Sequence, residues 1–332
     1  MNDIGFLNTA DEINYFLWSG YRIPTSKGIF RSFQWNYSHQ SRWTAGGEHL
    51  YLAASTDAFA NFTNYWSVGG GLNYEFKDIS QKALFGGPLL RRAPGLFKFI
   101  NVNSDSRKKL TFGFNVGAFD AAGSDSGAVV VRSLSFWTDY QVSNAFSLSI
   151  SPSFFTQHRK IQNVGFEQLG NDNRYITGTL DQKSLSMSIR ANYSITPNLT
   201  VEYWGQPFNS IGNYSEFKFI TNPLSQEFTE RFHLFSDQEI AYNSEDDVYS
   251  VNETDTEYNY RFSNPDFNFL EWRSNLVLRW EYKPGSELFL VWTQSTTNLT
   301  DPSQGIFTSF RDDLFSENVD NIFLVKATYR FY

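Results

Sequence analysis

Along most of this chain apolar and polar residues alternate one for one, the period that a β-strand imposes by sending successive side chains to opposite faces. The clearest run is Ser184 to Ile195. Leu185, Met187, Ile189, Ala191, Tyr193 and Ile195 alternate there with Ser184, Ser186, Ser188, Arg190, Asn192 and Ser194. Phe146, Leu148, Ile150 and Phe154 are set against Ser147, Ser149, Ser151 and Ser153 in the same way. The pattern returns in Trp66 to Phe76, Leu110 to Gly117 and Asn275 to Tyr282. Weaker forms run through Tyr15 to Ile23, Phe30 to Trp43, Glu48 to Phe59, Val130 to Tyr140, Thr200 to Pro207 and Glu287 to Trp292. The C-terminal stretch Asn321 to Tyr332 reads as one more strand, with Phe323, Val325, Ala327, Tyr329 and Phe331 on one face and Lys326, Thr328 and Arg330 on the other. No helical period of comparable length appears, so the chain is predicted to be all-β.

Turn residues set the topology. Ser143-Asn144, Thr196-Pro197-Asn198 and Lys283-Pro284-Gly285-Ser286 are short links between strand patterns, and the residues that favour tight turns dominate them. Longer polar segments lie near 158–173, 208–265 and 294–320. Counting back from the C-terminus puts all three short links on one side of an up-and-down sheet. Asp78 to Ser106 interrupts the pattern with Gly86-Gly87-Pro88, Arg91-Arg92 and Pro94-Gly95. It reads as an irregular loop, a lumen plug, or an extra strand at Leu96 to Val102, for about 12 to 14 strands in all.

Strands with one greasy and one wet face, joined by alternating short and long connections, are the sequence signature of a transmembrane antiparallel outer-membrane β-barrel. The mean hydropathy of -0.41 does not oppose this, because alternation averages the two faces. Aromatic residues make up 18% of the chain, with 33 Phe, 18 Tyr and 9 Trp, enough to supply interfacial girdles. The absence of Cys fits an oxidising envelope. A net charge of -8 leaves no basic stripe for phosphates and excludes a nucleic-acid partner. Met1-Asn2-Asp3 lacks a basic region and Gly5-Phe6-Leu7 is too brief for a signal core, so the barrel is expected to be the C-terminal part of a longer protein.

Candidate chemistry is sparse. Between Phe235 and Tyr260, Asp237, Glu239, Glu245, Asp246, Asp247, Glu253, Asp255 and Glu257 cluster without Lys or Arg, but the spacing of a calcium loop is missing and a solvated acidic loop is the simpler reading. Glu202 and Glu281 share the wet face by parity, where wall ion pairs with Arg190 and Arg279 compete with a glycosidase pair. His39, His49, His158 and His233 lack zinc spacing. Gly69-Gly70-Gly71 fits a bend or close packing better than a phosphate cradle. Trp43, Phe232, Phe235 and Tyr249 could stack on sugar rings or anchor at an interface, and Arg91-Arg92 fits a turn or plug better than an anion site. No catalytic, cofactor-binding or metal residue is nominated and no cofactor is implied.

Several longer motifs resemble a known family: Phe85-Gly86-Gly87-Pro88-Leu89-Leu90-Arg91-Arg92, Ser104-Asp105-Ser106-Arg107-Lys108, Ile195-Thr196-Pro197-Asn198-Leu199 running on to Tyr203-Trp204-Gly205-Gln206-Pro207-Phe208, Asn264-Pro265-Asp266-Phe267-Asn268-Phe269, Leu278 to Ser286, and Phe289 to Gln294. Together they resemble the C-terminal domain of unknown function of large Gram-negative outer-membrane proteins that carry an N-terminal module similar to family-9 carbohydrate-binding domains. Asn2 to Leu7 resembles a stretch inside that domain. The resemblance implies a single β-barrel domain over residues 1–332, complete or incomplete, in the bacterial outer membrane. Its expected work is to anchor a larger surface or periplasmic protein or to form a passage, with a link to carbohydrate handling. The expected partners are outer-membrane lipid and a glycan or another envelope protein. The competing expectations are a carbohydrate-active enzyme or glycan binder with its site in the lumen or outer loops, and a soluble β-sandwich or lipocalin-like binder whose apolar faces meet in a shared core.

Overall fold

The computed structural model describes residues 11–170, 172–254, 256 and 258–331. Asn2 to Leu7, Asp255, Glu257 and Tyr332, which figured in the sequence expectations, lie outside them. The strands are β1 (Ile13–Ile23), β2 (Phe30–Trp43), β3 (His49–Phe62), β4 (Ser67–Ser80), β5 (Leu90–Arg91), β6 (Gly95–Asn103), β7 (Leu110–Ala121), β8 (Val129–Gln141), β9 (Phe146–Leu169), β10 (Asp172–Thr196), β11 (Leu199–Ile220), β12 (Phe232–Leu234), β13 (Ile240–Asn243), β14 (Val248–Asn252), β15 (Asn259–Ser263), β16 (Phe267–Lys283), β17 (Ser286–Leu299) and β18 (Asp320–Thr328). A short helix, α1 (Ile306–Asp312), precedes β18.

A single antiparallel meander, β1-β2-β3-β4-β6-β7-β8-β9-β10-β11-β16-β17-β18, dominates the molecule. Its turns at Ser143-Asn144, Pro197-Asn198 and Pro284-Gly285 all fall on one rim, here the near rim, as the alternation implied. Gly285 has a φ of 75° there, a conformation glycine adopts at no steric cost. Leu96 to Val102 does form a strand, β6, and the segment before it does leave the wall. Residues 81–94 cross the serine-bearing face of the sheet. Leu84 and Leu90 are buried there with Ile220, against Ile161 and Tyr175, and the Arg91 N–H donates to the Pro223 carbonyl at 2.9 Å. β4 and β11 are far apart in the strand order, so this contact requires the sheet to curl with the serine face inside.

Two departures from the sequence reading have physical causes. Residues 158–169 and 208–220 are strand, not loop. β9, β10 and β11 have 24, 25 and 22 residues, well beyond the roughly 9–11 that a tilted membrane strand uses. Their distal halves pack against a second sheet, β13-β14-β15, through Ile176, Phe217, Phe235, Val251, Tyr260 and Phe262. Burial on a local sheet replaces strict alternation there, which is why the pattern read as irregular. Residues 294–299 likewise continue β17.

The second departure is closure. β1 pairs with β2 and β18 with β17, and no ladder joins β1 to β18, so among the described residues the sheet is open and not a closed barrel. Every residue of β18 is exposed on both faces. Ile322 and Leu324 line up with Thr293 and Val291 on the inner face, so that strand is apolar on its inner side as well as its outer one.

Candidate functional site

Strand register sorts the apolar residues onto the convex face. Tyr203, Leu276 and Trp292 are neighbours across three strands, as are Val201, Leu278 and Leu290. Val116 and Leu134 pair, as do Phe114 and Phe136. None of these faces a second sheet. Phe76 is 53% exposed, Leu134 49% and Leu290 42%, so the shared core that a β-sandwich requires is absent among the described residues. Exposed apolar surface on this scale is uncommon on a soluble monomer and marks a contact surface.

The band has an upper limit. On the convex face, Phe154 and Leu185 are followed by His158 and Asp181, in hydrogen-bond contact at 2.8 Å. Lys98 and Arg132 both engage Asp120 on that face of β6, β7 and β8, towards the distal rim. On β11, β16 and β17 the face turns polar at Asn209, Asn268 and Asn298, and α1 covers it. Asn268 Nδ2 donates to Ser309 Oγ at 2.8 Å and Asn298 Nδ2 to the Asp313 carbonyl at 2.6 Å. α1 nonetheless leaves Phe307 exposed, as is Phe315 beyond its end.

The concave face is mixed. Serines of β8 to β11 line one part, with Ser135 to Ser153 and Ser184 to Ser210 in hydroxyl contact at 3.0 Å and 2.8 Å. The β3–β7 part is aromatic instead. A Cβ at Gly69 would collide with the Phe59 ring, and one at Gly71 would lie 2.8 Å from Phe99 Cε1, which fits the close-packing reading of that glycine run. At the distal rim the connection 221–231 is tied down by an ion pair that is almost completely buried. Arg231 donates to Asp125 at 2.5 Å and 3.0 Å and to the carbonyls of Ser225 and Gln226.

The acidic segment is built as structure. Glu253 accepts from Arg174 at 2.7 Å and 2.9 Å, from Tyr260 and from Thr256. Asp247 accepts from Tyr242 and Asn264. Glu239 accepts from the Ser236 N–H and hydroxyl and contacts His233 at 3.1 Å. Burial pushes the Glu239 carboxyl up, but donors from Ser236, His233 and Thr254 outweigh it and hold it down at about 2, against an ordinary 4.5. A depressed carboxyl stabilises the fold fully above its unfolded value and loses that contribution as pH falls through the folded one. Amide protection over 236–254 is therefore expected to hold from pH 7 to about 4.5 and to decline between there and about 2, as read by hydrogen exchange against pH. Glu239→Gln should flatten that decline.

The remaining candidates separate. Glu281 accepts from the Gly285 N–H and lies 4.0 Å from Arg279, which also pairs with Glu287. Glu202 is in register with Val277, four residues along β16 from Glu281, a backbone spacing of about 13 Å. The wall ion pair expected at Arg279 is present. His39 contacts Tyr15, His49 stacks on Trp43, and His158 and His233 each meet one carboxylate. No group of three or more His, Cys, Asp or Glu suited to a metal occurs among the described residues.

The proposed sugar-stacking aromatics are engaged elsewhere. Phe235 is in the distal core, Tyr249 stacks on Phe262, and Phe232 packs against the cluster of Leu84, Leu90 and Ile220. Arg92 pairs with Asp78 at 2.6 Å, and Arg91 Nε donates to the Leu224 carbonyl at 3.1 Å. A cavity of about 320 Å³ lies beside them on the concave face, enclosed by 82–93, β8, β9, β10 and the 221–231 connection. Arg159 of β9 and Thr177 of β10 line it. The sequence reading left Arg159 in a polar connecting segment; it is the extension of β9 and the fold of 81–94 that bring it to the same cavity as Arg91.

Fold and surface together define an all-β protein built as one large curled antiparallel sheet, with an exposed apolar convex band and a partly filled concave face. The chain belongs to the family described as a domain of unknown function, DUF5916, whose model matches residues 1–331. No curated protein and no solved structure matches it.

Proposed function

We propose that this domain is an outer-membrane β-wall that anchors a larger envelope protein, with the convex band facing lipid. The observation that carries the reading is the band itself. It is apolar across neighbouring strands, uncovered by any second sheet among the described residues, and limited distally by the Lys98, Asp120 and Arg132 ion pairs and by the polar residues beneath α1. A lipid-facing strand needs about 9–11 residues, and the surplus length of β9, β10 and β11 then stands above the membrane with the β13-β14-β15 sheet. Backbone groups in hydrocarbon must all be paired, so the outer edges of β1 and β18 are paired in the bilayer, with each other or with further strands, giving a barrel. The motifs shared with large Gram-negative outer-membrane proteins would place this anchor beside a carbohydrate-binding module.

Packing of 81–94 and 221–231 on the concave face favours anchor over passage. The purified chain, refolded with phospholipid vesicles, is expected to float with the lipid after an alkaline carbonate wash and to give no steady conductance in a planar bilayer. Recovery in the wash supernatant, with the native strand content retained, would remove the membrane reading. Steady channels would replace the anchor with a passage.

A further inference from the structure

We infer that the cavity between residues 81–94 and β9–β10 is a binding site for a small organic oxyanion, a carboxylate or a phosphate monoester with an apolar body. The cavity of about 320 Å³ is lined by Arg91, Arg92, Arg159 and Arg231, a concentration of positive charge in a chain whose net charge is -8. Two of these guanidiniums are already neutralised, Arg92 by Asp78 at 2.6 Å and Arg231 by Asp125 at 2.5 Å. Among the described residues Arg91 donates to carbonyl oxygens, those of Leu224 through its side chain and Pro223 through its backbone, and the nearby charges acting on it are Arg231, which opposes it, and Asp125, which is engaged with Arg231. The Arg159 side chain has no hydrogen bond or ion pair among the described residues, and the nearby charges acting on it are Arg92, which opposes it, and Asp78, which is engaged with Arg92.

A second observation points the same way. Thr177 is fully buried, lines the cavity, and its Oγ1 has no hydrogen-bond partner. A buried hydroxyl without a partner costs about 1–3 kcal/mol, and an acceptor reaching it from the cavity through a small shift of the wall would remove that cost. Arginine offers a planar fork that matches carboxylate and phosphate oxygens. Leu84, Leu90 and Ile161 supply an apolar wall, and the volume falls at the small end of ligand sites. Arg159 and Arg91 would hold the oxyanion, Thr177 would donate to one of its oxygens, and the apolar body would lie on the leucines. Asp78 Oδ1, buried and without a hydrogen bond, limits how many negative charges the ligand can bring. The site lies above the convex band and holds whether or not that band meets lipid.

The test titrates the folded chain in detergent micelles with benzoate and phenyl phosphate, using benzyl alcohol as the neutral control, by calorimetry. Saturable binding of at least one anion is expected, with benzyl alcohol at least tenfold weaker. Arg159→Gln should weaken the anion at least tenfold and Thr177→Val by about threefold, the scale of a charged and a neutral hydrogen bond. Thr177→Val preserves shape and decides the matter if Arg159→Gln does not fold. No saturable binding of either anion, equal binding of benzyl alcohol, or unchanged affinity in the folded variants would overturn the assignment.

Discussion

Arginine at Leu290 should cost the embedded protein about 2–4 kcal/mol, the penalty measured for a cation on the lipid face near the midplane of a membrane barrel. Leu290 stands in the middle of the convex band, in register with Leu278 on one side and Val325 on the other. Among the described residues no carboxylate stands beside it on that face. Thr293→Arg on the half-buried concave face of the same strand meets solvent and protein instead of hydrocarbon and should cost clearly less than Leu290→Arg. Denaturant titration of both variants in vesicles measures the contrast. Equal costs would mean that the two faces see the same medium, which a lipid-facing band does not allow.

The second large effect belongs to the buried ion pair. Asp125→Ala leaves the Arg231 guanidinium, 1% exposed, without its carboxylate, and removing one partner of such a pair costs about 3–5 kcal/mol. Arg231 would keep its donations to Ser225 and Gln226, but these do not neutralise the charge. The double variant Asp125→Ala with Arg231→Met removes the buried charge as well and should be less destabilised than Asp125→Ala alone. Because this pair fastens 221–231 to the rim between β7 and β8, the single variant should also open the concave face. A protease cutting near Gln226 in Asp125→Ala but not in the parent protein would register that opening. Unchanged stability in Asp125→Ala would mean that the guanidinium finds another partner or water.

What could be read in the sequence was whatever depends on local alternation. Leu185 to Ile195, Leu110 to Val116 and Leu276 to Tyr282 each show their faces without a partner being known, because a strand's side-chain period is fixed by its backbone. The short turns are equally local, and Pro197 and Pro284 end strands wherever the neighbours lie. Long-range relations were not legible. Nothing near Leu84 indicates that it is buried with Ile220, and nothing near Arg231 identifies Asp125. The distal halves of β9 and β11 looked like loop because Val164 and Phe217 answer to the cluster of Val251, Tyr260 and Phe262 on β14 and β15 rather than to the main sheet. Phe235 and Tyr249 read as exposed for the same reason. Closure is a relation between β1 and β18, and alternation within either strand says nothing of it.

A lipid-facing wall requires that the convex face meet hydrocarbon while the concave face does not. Spin labels placed one at a time along β16 from Asn275 to Tyr282, in vesicles, test it through collision with oxygen, which concentrates in lipid, and with a water-soluble nickel chelate. High oxygen and low nickel accessibility is expected at Leu276, Leu278 and Trp280, and the reverse or low accessibility to both at Asn275, Val277 and Arg279. A uniform profile, or nickel accessibility at Leu276 and Leu278 equal to that of an exposed loop, would contradict it.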